Sequence, residues 1–207
     1  MSNPKPDANC DSAGRLIIIS GPSGAGKSTV VRRLLSECEL PLVLSVSATT
    51  RSPRPDEIDG KDYFFIGEEE FTQRREAGEF LEFKEVFGIG QWYGTLREQV
   101  ATGLAEGRWV ILEIDVQGAL AVLDHKEFKP ITVFIHPGGM DELEVRLRSR
   151  NTETEEAIGA RLETASSEMR YMHRYQYEVI NGSVDNAVTE ICQILNDQKE
   201  NHPCSKS

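Results

Sequence analysis

No apolar run in this chain is long enough to cross a bilayer, which takes about 20 consecutive apolar residues. Cysteine is scarce as well: the four present, Cys10, Cys38, Cys192 and Cys204, form no C-x-x-C pair and no metal-ligand spacing. A cysteine zinc site is excluded on that ground, and free thiols in a reducing compartment are the expectation. Positive charge is in deficit, with 23 Lys and Arg against 34 Asp and Glu and a formal net charge of −11. Such a chain has no broad attraction for nucleic acid or an anionic membrane, so any phosphate must be met by local clusters of arginine. Internal repeats and low-complexity tracts are missing too. Residues 1–12 are polar, carry two prolines and lack the apolar stretch of a secretory signal, which points to the cytoplasm. What is left, 39% hydrophobic and 28% charged over 207 residues, describes one globular domain with room for a core.

One stretch organises that domain. Leu16 to Ile19 is an apolar, β-branched run that reads as a buried strand. It breaks at Gly21, and Gly21-Pro22-Ser23-Gly24-Ala25-Gly26-Lys27-Ser28 spells G-x-x-x-x-G-K-[ST], followed by Thr29 and a helix with Val30, Val31, Leu34 and Leu35 apolar. Backbone N–H groups in such a loop, with the helix N-terminus behind them, cradle anions. Lys27 would place its charge near the β- and γ-phosphates, and the Ser28 hydroxyl can ligate Mg²⁺. The motif in this strand–loop–helix setting implies a nucleoside triphosphate.

Along the chain, strands and helices alternate, the pattern of a parallel sheet covered on both faces. Strands are expected at Leu42 to Val46, Trp109 to Ile114, Ile131 to Ile135 and Glu178 to Ile180, and helices at Leu96 to Glu106, Val116 to Leu123 and over the amphipathic stretch carrying Val184, Val188, Ile191 and Leu195. Two regions depart from the alternation. Residues 47–60 are rich in turn signals, and short strands at Asp62 to Ile66 and Phe80 to Val86 flank a charged helix from Glu68 to Glu76, suggesting a small mixed insert. From Met140 to Met172 arginines alternate with glutamates, and Thr152-x-x-Glu155 has the form of a helix-starting capping box. That region is either a solvated helical hairpin or a lid bringing Arg146, Arg150 and Arg161 to a transferring phosphoryl group.

Candidates for a second substrate lie between residues 47 and 115. Arg51 and Arg54 flank a Ser-Pro and can fork onto phosphate oxygens, with the phenols of Tyr63 and Tyr93 as further donors. Glu82 sits in an alternating strand segment, and Thr95 follows Tyr93-Gly94. Glu113 and Asp115, two apart at the carboxyl end of a buried strand, share one face at the edge where such sheets bind ligands. An apolar strand ending in an acid downstream of a phosphate loop also fits support of Mg²⁺.

Taken together, Ser20 to Thr29, Ser47-x-x-Thr50-Arg51-x-x-Arg54, Gly60-Lys-Asp-Tyr63-x-Phe65, Glu79-Phe-Leu-Glu82, Tyr93-Gly-Thr95, Ile111-Leu-Glu-Ile-Asp-Val-Gln-Gly118 and Arg150-x-Thr-Glu-Thr-Glu resemble the guanylate kinases, in order from about residue 14 to 197. The resemblance implies an α/β fold. Its parts are a P-loop parallel-sheet core flanked by helices (14–46, 97–137 and 171–198), a small mixed α/β GMP-binding insert (47–96) and a helical lid (138–170), with disordered tails at 1–13 and 199–207. It implies transfer of the ATP γ-phosphoryl group to GMP, and to dGMP, with Mg²⁺. Glu82 and Asp115 would accept from the N1 and N2 donors of guanine, and Ser47 and Thr95 would donate to O6. Arg51, Arg54, Tyr63 and Tyr93 would hold the GMP phosphate. Lys27, Arg146, Arg150 and Arg161 would surround the γ-phosphoryl, Glu113 and Ser28 would organise Mg²⁺, and Asn181 would lie near the ATP base. Departures are a loop at 87–92 about two residues longer than the pattern, Trp92 for a tyrosine, Asn151 for a glycine, and Glu113 where some relatives have Asp. The rival readings are a scaffold domain of this fold that no longer transfers phosphate, and a kinase for another nucleoside monophosphate.

Overall fold

The computed structural model describes residues 14–86, 90–125, 127–149 and 154–200. In chain order the elements are β1 (Arg15–Ser20), α1 (Lys27–Glu37), β2 (Leu42–Leu44), β3 (Ala48–Thr49), β4 (Phe64–Phe65), α2 (Glu68–Glu76), β5 (Phe80–Val86), β6 (Gln91–Leu96), α3 (Arg97–Ala105), β7 (Trp109–Glu113), α4 (Val116–Leu123), β8 (Ile131–His136), α5 (Met140–Ser149), α6 (Glu155–Met169), β9 (Tyr177–Ile180) and α7 (Val184–Glu200).

Five of the strands form one parallel sheet in the order β2-β7-β1-β8-β9. Because strand side chains alternate, β1 feeds two cores. Ile17 and Ile19 point to the side where α1 and α7 supply Val30, Val31, Leu34, Ile191 and Leu195. Leu16 and Ile18 point to the other, with Val100 of α3 and Val116, Ala119 and Val122 of α4. β1 lies in the middle, so the loop that follows it opens at the carboxyl edge between β7 and β8, where such sheets take their ligands. Register places Ile19 beside Glu113, delivering that acid to the loop.

The other four strands make a separate sheet, ordered β4-β3-β6-β5, over a small cluster of Ala48, Phe71, Phe80 and Leu96. β3 lies inside the turn-rich stretch, where no strand is expected. Its two residues are fully buried and pair with both β4 and β6, so tertiary pairing outweighs local turn chemistry. Helices α5 and α6 form a third body around Leu143, Leu147, Ile158 and Ala165. Helix α6 is capped by Thr154, whose hydroxyl accepts from the Ala157 N–H at 3.3 Å; Thr152, the expected start of the capping box, lies outside the described residues. At the far end α7 runs to Glu200, two residues into the stretch expected as tail. The remaining tail residues, Asn151 and the first three positions of the 87–92 loop also lie outside the described residues.

Phe71 stacks on Phe80 with ring centroids 4.5 Å apart and is 1% exposed. Phe71→Ala should therefore cost about 3–5 kcal/mol of stability, read from urea unfolding of the two proteins.

Candidate active site

Two glycines show how tightly the loop after β1 is built. A Cβ on Gly21, at φ 142°, would stand 1.9 Å from the Ile135 carbonyl oxygen of β8. One on Gly24, at φ 93°, would meet the Leu147 and Leu143 side chains of α5 at 2.9 and 3.0 Å. Only glycine lets the loop lie between the sheet and the α5–α6 body. Asn181, just after β9 and 2% exposed, braces it from within by donating its amide to the Ala25 carbonyl at 2.8 Å. A cleft of about 230 Å³ faces the loop, lined by Ser23, Gly24, Gly26, Lys27, Ser28, Thr29, Glu113 and Arg161.

Lys27 donates to the carbonyls of Gly21 at 2.7 Å and Pro22 at 3.0 Å. Removal from solvent lowers its pKa, opposed by the charges of Glu113, Glu168 and Asp115. The Ser28 hydroxyl donates to Glu113 Oε1 at 2.5 Å, so the two oxygen ligands expected for a metal already adjoin. From α6, Arg161 donates to Ser23 Oγ at 2.6 Å. Arg146 of α5 donates to the Asn181 carbonyl at 2.7 Å and to Glu142 at 3.0 Å, while Arg150 lies outside the described residues. Glu168, seven residues on from Arg161 and 7% exposed, also turns toward the loop and draws the Ser23 N–H. Burial raises its pKa, and among the described residues its Oε2 has no hydrogen-bond partner. Spacing from Arg161 is its only sequence signal.

The second sheet brings its own groups to the same side. Thr95 is 1% exposed and its hydroxyl donates to Glu82 Oε1 at 2.6 Å, so its proton is engaged by that carboxylate. Burial raises the pKa of Glu82, with the Thr95 hydroxyl pulling the other way. Asp115 caps α4, its Oδ1 accepting from the Gly118 N–H at 2.8 Å, while Oδ2 accepts from Lys84 Nζ at 2.6 Å. A Cβ on Gly118 would lie 2.9 Å from Glu82 Oε2 and 3.4 Å from Asp115 Oδ1. The missing side chain is what lets the two carboxylates, one from β5 and one from the start of α4, converge. Lys84 is absent from the sequence expectations; only its place two residues after Glu82 could have revealed it.

Arg51, expected to fork onto a phosphate, is instead forked onto Glu57 at 2.7 and 2.9 Å. Its Nε donates to the Tyr93 hydroxyl at 2.9 Å, leaving the phenolic proton of Tyr93 to donate elsewhere. Tyr63 packs edge-on to Tyr93 at 5.7 Å, with Arg51 above the Tyr63 ring at 5.2 Å. Arg54 stands exposed and its backbone N–H donates to Glu57 at 2.7 Å. Ser47, half-buried, accepts the Phe64 N–H on its carbonyl at 2.9 Å. Glu57 was not anticipated, because a glutamate in a Pro-rich turn carries no signal of its partner.

Comparisons with known proteins point to one family. The guanylate kinase family model matches residues 13–198. A guanylate kinase of Rhodopirellula baltica is 64% identical over 97% of this chain and 99% of its own. One of Caldanaerobacter subterraneus is 49% identical over 88% of this chain and 86% of its own. The crystal structure of guanylate kinase from Anaplasma phagocytophilum superposes with a TM-score of 0.72 at 33% identity, covering 91% of this chain and 87% of that one.

The Arg51 guanidinium, and then the Arg54 N–H, hold the Glu57 carboxyl at about 2, below its ordinary 4.5. A depressed folded-state pKa means stabilisation that is complete above about pH 4.5 and lost as pH falls through about 2. The unfolding free-energy difference between wild type and Glu57→Gln should be flat from neutral pH down to that range, then shrink toward zero, as measured by urea titrations at stepped pH.

Proposed function

The chain belongs to the guanylate kinase family, and from that membership we infer how its residues divide the transfer of the ATP γ-phosphoryl group to GMP. The products are ADP and GDP. The convergence of Glu82 and Asp115 at Gly118 supports a guanine seat, since two carboxylates match the N1–H and N2–H₂ donors of that base. Adenine has no N1 proton and an amino donor in place of O6, so a site built on these bonds would reject it by ~10⁴-fold or more. Ser47 is the hydroxyl left to donate to O6, with Thr95 holding Glu82 in position. Arg54, Tyr63, Tyr93 and the remaining donor of Arg51 would take the GMP phosphate. No assigned residue needs the ribose 2′-oxygen, which supports dGMP as a second acceptor.

At the other end, the loop from Gly21 to Thr29 would hold the ATP phosphates, with Lys27 moving from the Gly21 and Pro22 carbonyls to phosphoryl oxygens. Arg146, Arg150 and Arg161 would add charge as negative charge spreads over the transferring group. Asn181, which supports the loop from beneath, contributes through its shape. Among the described residues no three His, Cys, Asp or Glu side chains cluster as a metal cage. An adjoining hydroxyl and carboxylate suit Mg²⁺, which keeps several waters and binds chiefly through substrate phosphates. Ser28 and Glu113 are the residues that would hold it, and when bound it would neutralise charge on the phosphate oxygens. We place the division of the chain at core 14–46, 97–137 and 171–198, insert 47–96 and lid 138–170. The cytoplasm is the proposed setting, in keeping with the free thiols of Cys38 and Cys192. Among the described residues no helix is long and apolar enough to cross a membrane.

A coupled ADP-release assay with ATP, Mg²⁺ and a panel of GMP, dGMP, AMP, CMP and UMP should show turnover with the two guanine nucleotides. Lys27→Ala should lose ~10²–10³ or more in kcat with its fold retained by circular dichroism. Glu82→Gln should lower kcat/KM for GMP by at least ~10². An unchanged value in that variant would remove Glu82 from the base seat.

A further inference from the structure

Glu82 and Lys84, two apart on β5, project from one face of the strand. The antiparallel register with β6 sets Glu82 opposite Thr95 and Lys84 opposite Tyr93. One face of this hairpin therefore runs from the carboxylates at Gly118 to the phenol that Arg51 holds, and Lys84 stands between them. From there its Nζ crosses to the start of α4 and donates to Asp115 Oδ2 at 2.6 Å. With Oδ1 accepting the Gly118 N–H, both oxygens of Asp115 are engaged. A base donor can reach Oδ2 only by sharing or displacing the ammonium. The two side chains are 44% and 37% exposed, so solvent screens the pair and its opening is easy.

An ammonium has three donors and no acceptor. Guanine offers N1–H and N2–H₂ to carboxylates and carries O6 and N7 as acceptors on the adjoining edge. An ammonium released from Asp115 therefore finds a new acceptor on the same base. Adenine carries an amino donor at C6 where guanine has O6, so it meets the ammonium donor to donor at that position, and the ammonium stays on Asp115, where it narrows the seat.

Resting on the base-site assignment of Glu82 and Asp115, we propose that Lys84 is a specificity-determining residue for the acceptor nucleotide, its ammonium passing from Asp115 Oδ2 to O6 of guanine as the base enters. It adds a positive reader of the acceptor edge to the two acids that read the donor edge. It also couples base entry to release of a link between β5 and the start of α4.

Lys84→Met keeps the apolar stem and removes the donor. Steady-state kinetics with GMP should show KM for GMP raised about tenfold, the scale of one hydrogen bond to a charged group. KM for ATP should stay within about twofold. The informative readout is how the ratio of kcat/KM for GMP to that for 2-aminopurine riboside 5′-monophosphate changes on substitution: this base keeps the 2-amino group but lacks both O6 and the N1 proton, and the loss of N1–H weighs on wild type and variant alike. That ratio should contract about tenfold in Lys84→Met, because the variant has lost the group that distinguishes the two bases there. An unchanged or lowered KM for GMP would overturn the proposal, as would a raised KM with an unaltered ratio, which marks a purely structural link. Asp115→Asn separates the two layers of inference. If it raises KM for GMP while Lys84→Met does not, only the role of Lys84 falls; if neither variant affects GMP, the base seat falls with it.

Discussion

Lys27 is withdrawn from solvent at the carboxyl edge of a parallel sheet, and the surroundings keep its ammonium from standing alone. Two loop carbonyls accept from it directly, and the charges of Glu113, Glu168 and Asp115 offset the cost of its desolvation. Those acids come from β7, α6 and the start of α4, so one cation gathers groups from the parallel sheet, the helical hairpin and the helix that follows β7. The close approach of Gly21 to β8 and of Gly24 to α5 is what makes the loop compact enough for this. A wider loop would expose the ammonium and part it from the acids.

A second convergence depends on the first. α4 starts right after β7, so the strand that brings Glu113 to Ser28 also brings Asp115 to the cap of α4, and Gly118 beneath it leaves space for Glu82. Burial raises the cost of ionising Glu82, and the neighbouring Asp115 charge adds to it. The Thr95 hydroxyl on one acid and the Lys84 ammonium on the other offset that cost. The site therefore holds paired acids at one end and a lysine with an arginine at the other, in a chain whose net charge is strongly negative.

Much of the frame was legible from local pattern. The apolar run before Gly21, the G-x-x-x-x-G-K-[ST] loop and the acids Glu113 and Asp115 at the end of the strand from Trp109 each carry their signal within a few residues. The structure puts them where periodicity and the parallel-sheet rule said they belong. The small sheet was half legible: β5 showed alternation, whereas β3 is a two-residue strand in a turn-rich stretch that exists only because β4 and β6 flank it.

By itself the sequence determined which residue types could meet phosphates and a purine, because those signals are covalent neighbours: glycines at set intervals, an acid at a strand end, arginines beside proline. Only the tertiary structure decided which hydrogen bonds those groups make. Arg51 spends its fork on Glu57, Thr95 spends its proton on Glu82, and Asp115 holds Lys84. Each choice depends on chain segments that pairing and packing bring together, and a hydrogen bond's short range makes it blind to residue types alone.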